Sequence, residues 1–537
     1  MTGGLTGELS GTAGLVRLAL RRDRFLIPGW VALFAGMSAL SASATVGLYP
    51  TEASRVLAAE TINSTASVVA LYGPIYDPTS LGALTITKMT AMYAALMSIL
   101  MVMLVVRHTR AEEEAGRLEL VGAGVVGRAA PLAGALLVVG GASCVLGLLS
   151  GASLLAAGLP VGGSLIFGAG WAATGLCFAA VAAVAAQLTS GGRAANGLCF
   201  MVIALTYLAR AFGDVAEPSG TGPGWLSWLS PIGWNQQVRA YAGDRWSVLL
   251  LPLAATAVLV PISFLLRSRR DLGSGLLADR PGPADGRVAS ALGLAWRLQR
   301  PVLLAWTVAS LIFGFVMGSI AHNVAGLLDS PAVAKAIQEL GGVQDPVDAF
   351  LAVELGLIGT IIAAYGISAV TRLAAEESGG RAESVLATAT PRTRWVASHL
   401  VIALAGVAWL LLLAGVATGL GHALAVGDPG QTLRITVAAL ARIPAAWFMA
   451  GLVFALWGVW PHAAGIGWGA YAAFFVVGDL GPLWKAPQWV IDASPFAHSP
   501  MLPGPNPGLG GTVWLTVIAG TLLVLGSAAF RRRDLAG

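Results

Sequence analysis

Charge is what this chain has least of. Asp, Glu, Lys and Arg make up 11% of its 537 residues, against about 25% in a soluble chain of ordinary composition. Apolar residues reach 56% and mean hydropathy is +0.77. Lipid rather than water is therefore the solvent for most of the chain, which excludes a string of soluble domains. Lysine is scarcer still: Lys88, Lys335 and Lys485 are the whole set. None precedes Ser or Thr, so no Gly-rich turn ends in the pair that holds nucleotide phosphates. These residues contain no P-loop ATPase. Cys144, Cys177 and Cys199 lack C-x-x-C spacing and indicate neither a disulfide framework nor a thiolate metal site; they read as small buried apolar residues. His108, His322, His399, His422, His462 and His498 show no H-E-x-x-H, and no G-x-S-x-G follows a predicted strand. The expectation is a chain with no catalytic residues, no metal and no cofactor of its own. The net charge of +5 does not point to nucleic acid, because the basic residues flank apolar runs instead of lining one polar face.

What is there is apolar runs of about 20 residues, the length that crosses a bilayer as a helix. Helices are expected because lipid offers no partner to backbone polar groups. The runs are too long and too uniformly apolar for barrel strands. They fall near 25–45, 84–106, 129–149, 164–188, 194–212 and 247–266, then near 301–320, 350–370, 395–420, 433–459, 463–480 and 512–530. Amphipathic stretches at 15–24 and 291–300 precede the first run of each set and are expected to lie on the membrane surface. The predicted fold is an all-α polytopic membrane protein with about twelve transmembrane helices. It divides into two six-span halves, 1–266 and 294–537, joined by a basic Gly/Pro-rich linker, 267–293.

Three anchors predict that the halves are an internal repeat. Glu113 recurs as Glu377, Ser230-Pro231 as Ser494-Pro495, and Arg269-Arg270-Asp271-Leu272 as Arg532-Arg533-Asp534-Leu535, all at nearly one shift. Six spans is an even number, so the repeat is parallel, about an axis near the membrane normal. Most arginines sit in loops that share one side if both termini are cytoplasmic, the orientation the positive-inside rule predicts.

The first anchor belongs to a charged segment that occurs twice with the pattern E-x-x-G-R-x-E. Its residues are Glu112, Glu113, Glu114, Gly116, Arg117 and Glu119 in the first copy, and Glu376, Glu377, Gly380, Arg381 and Glu383 in the second. Each copy puts carboxylates on a short helix between spans. The glycine either admits a neighbouring backbone or ends a turn, and the arginine is placed to bridge to a partner's carboxylates. Such a segment suits a socket on a cytosolic protein. The plainer alternative is a solvated loop with helix-dipole charges, and two copies in register weigh against it.

The order of interfacial helix, span, outer loop, span, charged segment and four more spans resembles type-2 permeases of ATP-binding-cassette exporters. The first copy runs on as Leu120-Val121-Gly122-Ala123-Gly124-Val125-Val126-Gly127-Arg128, the second as Ser384-Val385-Leu386-Ala387-Thr388-Ala389-Thr390-Pro391-Arg392. These match the family's acidic coupling segment and the turn after it, except that the first lacks the proline. The fused form, with Trp228-Leu229-Ser230-Pro231-Ile232-Gly233-Trp234 before the sixth span, resembles actinobacterial polyketide-antibiotic and multidrug exporter permeases. The resemblance covers nearly the whole chain. It implies a bacterial plasma-membrane permease that moves hydrophobic or amphipathic compounds outward. It implies a partner, a separate cytosolic ATPase that carries Mg-ATP, most simply as a homodimer, docked on the two charged segments.

It also implies a substrate cavity between the halves, lined by the second and fifth spans of each. The candidates are Tyr93, Met97, Met101, Phe200 and Tyr207, then Tyr365, Tyr471, Phe474 and Phe475. Flexible Met and aromatic faces suit varied apolar ligands; ordinary helix packing is the alternative for each. Trp225, Trp228, Pro231, Trp234 and Pro495, within or near Trp-rich stretches, are the extracellular-gate candidates, or an aromatic belt at the interface. Glu354 and Arg442 stand out as ionisable groups inside spans. Glu354 lies near the outer end of its span, where a solvated position competes, and Arg442 either pairs with a carboxylate or snorkels to water. An ion-coupled secondary multidrug transporter is the rival reading; it calls for deep carboxylates, and Glu354 is nearly all the sequence offers. A non-transporting membrane scaffold is the third.

Overall fold

The computed structural model describes residues 7–64, 66–216, 223–277, 290–321, 346–479, 487–504 and 510–534. Lys335, Leu535, residues 278–289 of the linker and Trp484 lie outside these. The described residues are almost wholly helical, with no strand among them. The chain divides into two compact units, residues 1–282 and 283–537.

Unit 1 starts with α1 (Thr12–Arg22), which ends at Asp23, and α2 (Leu26–Leu48). Outside the span come α3 (Glu52–Ser64) and α4 (Ala66–Tyr72). The second span is α5 (Leu81–Lys88), a π turn at Met89–Tyr93, and α6 (Ala94–His108). A π turn misaligns backbone carbonyls, and here two of them are taken up by side chains. Trp171 Nε1 donates to the Met89 carbonyl at 3.2 Å and Asn235 Nδ2 to that of Thr90 at 2.8 Å. Then follow α7 (Arg110–Glu114), α8 (Arg117–Gly122), α9 (Ala130–Ala156), α10 (Val161–Leu188), α11 (Gly192–Ala216), α12 (Pro231–Gln237) and α13 (Leu250–Ser268). The Ser-Pro anchor is the start of α12: Ser230 Oγ accepts from Gly233 N at 3.1 Å and Pro231 takes the first helical position, which needs no N–H donor.

Unit 2 contains α14 (Ala291–Ile320), α15 (Pro346–Ser378), α16 (Arg381–Leu386), α17 (Arg392–Val426), α18 (Gly430–Leu440), α19 (Ile443–Val459), α20 (Ile466–Asp479), α21 (Gln488–Ile491) and α22 (Gly510–Arg532). Among the described residues, eleven helical runs are long and apolar enough to cross a bilayer, six in unit 1 and five in unit 2. The chain is an all-α polytopic membrane protein.

Two expectations change. The run near 463–480 gives α20, whose described part starts at Ile466 and is 14 residues long, about 21 Å of rise. Pro461 opens a 3₁₀ turn over Pro461–Gly465 that delays the helix. The stretch 291–300 is not a separate surface helix. It is the first third of α14, which continues through Pro301. The first half does bend here, because Asp23 leaves the helix and is buried against Arg107 Nη2 (3.0 Å) and His108 Nε2 (2.8 Å). In the second, Gln299 meets His399 at 3.1 Å from an unbroken helix.

Each unit packs one helix pair through a glycine face. In unit 1 a Cβ on Gly147 of α9 would lie 2.3 Å from the Gly168 carbonyl of α10, and Gly151 faces the Ser164 carbonyl. In unit 2 Gly314 and Gly318 of α14 face the Ala414 and Thr418 carbonyls of α17. Small residues four apart bring backbones close enough for dispersion contact without competing side chains.

Candidate functional site

The two charged segments fold into the same elbow. In unit 1 α7 stops at Glu114, Gly116 takes φ +69° and ψ 0°, and α8 departs. In unit 2 α15 stops at Ser378, Gly380 takes φ +69° and ψ −1°, and α16 departs. Nothing lies within 4 Å of a Cβ built on either glycine. Of the two roles read from the sequence, glycine is therefore here for its left-handed backbone, which costs other L-residues about 1–2 kcal/mol, and not for close approach. The bend is closed by Gly116 N donating to the Glu113 carbonyl (3.0 Å) and Gly380 N to that of Glu377 (2.9 Å).

The arginines after the glycines fold back onto their own chain. Arg117 Nε and Nη2 donate to Glu112 at 2.6 and 2.9 Å, and Arg22 reaches the same carboxylate. Arg381 Nε donates to Glu376 at 2.7 Å, and Arg372 Nε to its other oxygen at 2.7 Å. Glu112 lies past the break at Thr109 that ends the apolar part of the span. Hydrogen bonds from Arg117 pull its carboxyl to about 2, against the desolvation of partial burial, and Arg22 adds to the pull. The bridge from arginine to carboxylate predicted for a partner is thus made within each unit.

The first glutamate of each motif is turned inward. Glu113 receives Arg270 Nη1 and Nη2 at 2.7 and 2.9 Å, Arg110 Nη1 at 2.9 Å and Gly273 N at 2.7 Å. Arg270 Nε also donates to Gln187 at 2.7 Å. Glu377 receives Arg533 Nη1 and Nη2 at 2.6 and 2.7 Å, and Arg533 stacks over Trp457 and Phe530. Both glutamates are buried. Glu113 and Glu377 are thus engaged within their own units: they clasp the elbow to the end of the unit's last span. Two of the three repeat anchors are thereby each other's ion-pair partners, a pairing the sequence signalled only by their joint recurrence. What each elbow leaves exposed is Glu119 on α8 and Glu383 on α16, with Glu114 beside the first bend and Leu120 and Val125 beyond it.

The other predicted residues fall in several environments. Met97, Met101 and Tyr365 are fully buried in the cores of their own units, where ordinary helix packing accounts for them; Tyr365 meets Trp306 edge-on. Tyr93 is packed against the same core as Met97. Tyr207 donates to the Leu71 carbonyl. Phe200 is exposed, at 38%. Tyr471 donates to the Thr360 carbonyl at 3.0 Å, Phe474 packs edge-on to Phe448, and Phe475 is half-buried. Trp225 and Trp228 are exposed, and Trp234 Nε1 donates to the Trp228 carbonyl at 2.6 Å. Pro495 is buried and starts a 3₁₀ turn. Glu354 is buried, not solvated, and neither carboxylate oxygen has a hydrogen-bond partner among the described residues. Arg442 is buried at the α18–α19 break and donates to the Ala352 carbonyl at 3.0 Å, so it does not snorkel.

One intramembrane pair escaped the sequence reading. Arg210 and Asp214, four apart on α11, are fully buried and paired at 3.1 Å. Arg210 also donates to the Ala70 carbonyl at 2.6 Å, and Asp214 accepts from Ser227 Oγ at 2.7 Å. The i, i+4 spacing of opposite charges in an apolar run was the available signal. The pair ties α4 and the Trp-rich turn to the C-terminal end of α11.

Among known families, the chain matches the model described as multidrug efflux system permease Rv1217c, C-terminal domain, over residues 12–266 and 288–531. It is also 43% identical over 530 residues to the multidrug efflux system permease protein Rv1217c of Mycobacterium tuberculosis (strain ATCC 25618 / H37Rv), covering 98% of this chain and 95% of that protein. The chain belongs to this permease family. It is a transporter subunit and not an enzyme, in keeping with the sequence expectation, and the gap in the family match falls within the linker expected at 267–293.

Proposed function

We propose that this chain is the membrane permease of an ATP-driven efflux system, of the type-2 ATP-binding-cassette class, whose motor is a separate cytosolic ATPase. The observation that carries this is the elbow, built twice with one backbone geometry and one internal wiring, in a chain with no P-loop. A homodimeric ATPase, binding Mg-ATP, is the simplest partner for two matching elbows. The halves are then related by a parallel repeat, with the arginine-rich loops and both termini in the cytoplasm. Multidrug efflux, named for the relative, supports a hydrophobic or amphipathic cargo. Contact with the motor falls to Glu119 and Glu383 and to the α8 and α16 surfaces, since the inner glutamates are occupied. Closure of the ATPase on ATP would press on α8 and α16. The clasps to Arg270 and Arg533 carry that push into α13 and α22.

Glu119→Lys with Glu383→Lys is expected to cut ATPase turnover of the co-expressed complex in lipid roughly tenfold or more, because a reversed charge at an interface repels as well as fails to attract. The permease alone should melt as wild type, as both side chains are exposed. Unchanged co-purification and turnover would remove the coupling role. A second reading, ion-coupled export, rests on Glu354 alone, whose buried carboxylate lacks a hydrogen-bond partner. Efflux that collapses with the proton gradient while ATP stays high, and is lost in Glu354→Gln, would favour it. Efflux insensitive to both supports the ATP-driven reading.

A further inference from the structure

Unit 1 contains two neighbouring cavities that the transport reading does not use. Helix α1 is fixed across the start of α9 by backbone hydrogen bonds from Gly127 N to Ser10 O (2.9 Å) and Ala129 N to Glu8 O (3.1 Å). Beneath it, between α1, the end of α6, the elbow and α9, is a cavity of about 650 Å³. Its charged lining is Arg21, Arg22, Arg117 and Glu112. Glu112 is shared by Arg22 and Arg117, so three guanidinium groups face one carboxylate and two positive charges remain. His108 also lines it, already engaged with Asp23. Next to it, between α1, α2 and α9, is a second cavity of about 450 Å³, lined only by apolar residues such as Leu20, Val31, Leu137, Gly141 and Val145. The first cavity uses α9 as far as Ala135 and the second continues to Leu149. Those 14 residues rise about 21 Å, enough to follow a hydrocarbon chain through one leaflet, half of a core of about 30 Å.

We infer that the two cavities together hold one anionic phospholipid, its phosphate beside Arg21, Arg22 and Arg117 and one acyl chain along α9. Cationic head site and wholly apolar tail site occur in the order that such a molecule presents them to the membrane. Both volumes lie in the range of ligand pockets. Among the described residues of unit 2 the matching place is built differently. Its cavity between α14 and α15 is about 210 Å³, and its one arginine, Arg372, is paired with Glu376 at 2.7 Å. The continuous α14 has no break like that at Asp23 for a head group to enter. Because Arg117 and Leu118 belong to the elbow, the lipid touches the same short helix that α8 presents outward.

The test is lipid retention by the full chain alone, so it does not depend on an ATPase partner. Purified permease is incubated with equimolar phosphatidylglycerol and phosphatidylcholine vesicles, re-extracted, and its bound lipid counted by native mass spectrometry. Two net charges at about fivefold each predict roughly 25-fold preference for phosphatidylglycerol. Arg21→Gln, at an exposed arginine, should lower that to about fivefold. Gly141→Leu fills the apolar cavity, where a Cβ meets nothing within 4 Å, and should abolish retention of either lipid. Added inorganic phosphate should not displace the bound lipid. Equal retention of the two lipids by wild type, or retention untouched by Gly141→Leu, overturns the inference. So does displacement by phosphate, which would reduce the site to a head-group anion site. A neutral amphipathic dye that takes the lipid's place with affinity independent of Arg21 would make it a cargo site and overturn it as well.

Discussion

Glu113→Ala is expected to destabilise the isolated permease by about 3–5 kcal/mol, the cost of leaving buried charge unpaired. The variant strips the carboxylate from two arginines, Arg110 and Arg270, whose side chains are 1% and 4% exposed. It also leaves Gly273 N without its acceptor. Glu377→Ala should cost less, since Arg533 is 14% exposed and keeps its aromatic stack. Thermal unfolding of each variant in lipid, with no ATPase present, gives the comparison. A docking residue behaves otherwise: its loss leaves the permease's melting unchanged and removes only the complex. Replacing both partners in unit 2, Glu377→Leu with Arg533→Leu, should recover most of the loss, because an apolar pair avoids the desolvation that a lone charge cannot. If Glu113→Ala melts as wild type, the clasp is not a structural element.

Gly318→Val should be the most damaging single substitution in unit 2. A Cβ at this position would sit 1.9 Å from the Thr418 carbonyl oxygen, and the neighbouring contacts are backbone as well. No side chain can rotate away, so α14 and α17 must separate along the crossing that Gly314 and Gly421 also form. Overpacking of this kind costs about 1–3 kcal/mol and occasionally more. A backbone clash on both sides of a helix crossing belongs at the top of that range. The control is Gly520→Ala on α22, where nothing lies within 4 Å. It should be neutral or slightly stabilising, by about 0.5–1 kcal/mol, as for any interior helical glycine. Equal melting temperatures for the two variants would show that the crossing tolerates bulk.

The membrane class was legible because hydropathy is a local property, and the long runs announce themselves. Length is less secure where turn residues interrupt a run. Pro461 and Gly465 sit inside an apolar stretch and delay the start of α20 without changing its hydropathy. The elbows were legible as a motif, but the division of labour inside them was not. Nothing local distinguishes Glu113 from Glu119; what separates them is Arg270, 157 residues away. The same limit applies to Met97 and Met101. Their four-residue spacing shows that they share a face, and only the fold shows that the face is the core of their own unit. Asp23 is a further case. It reads as one more charge in a basic stretch, yet its burial against Arg107 and His108 separates α1 from α2.

The clasp at each elbow joins residues 157 apart in unit 1 and 156 apart in unit 2. Ribosomes add about 5–20 residues per second, so each glutamate is made roughly 8–30 s before its arginine. In that interval the nascent unit holds its early spans in the bilayer with a carboxylate awaiting burial. The elbow is therefore the last joint of each unit to lock, and an unlocked elbow marks an unfinished molecule. Arg533 follows the last described helix by a single residue. A protease that cuts between Arg532 and Arg533 would unlock unit 2 while leaving every described span in the membrane.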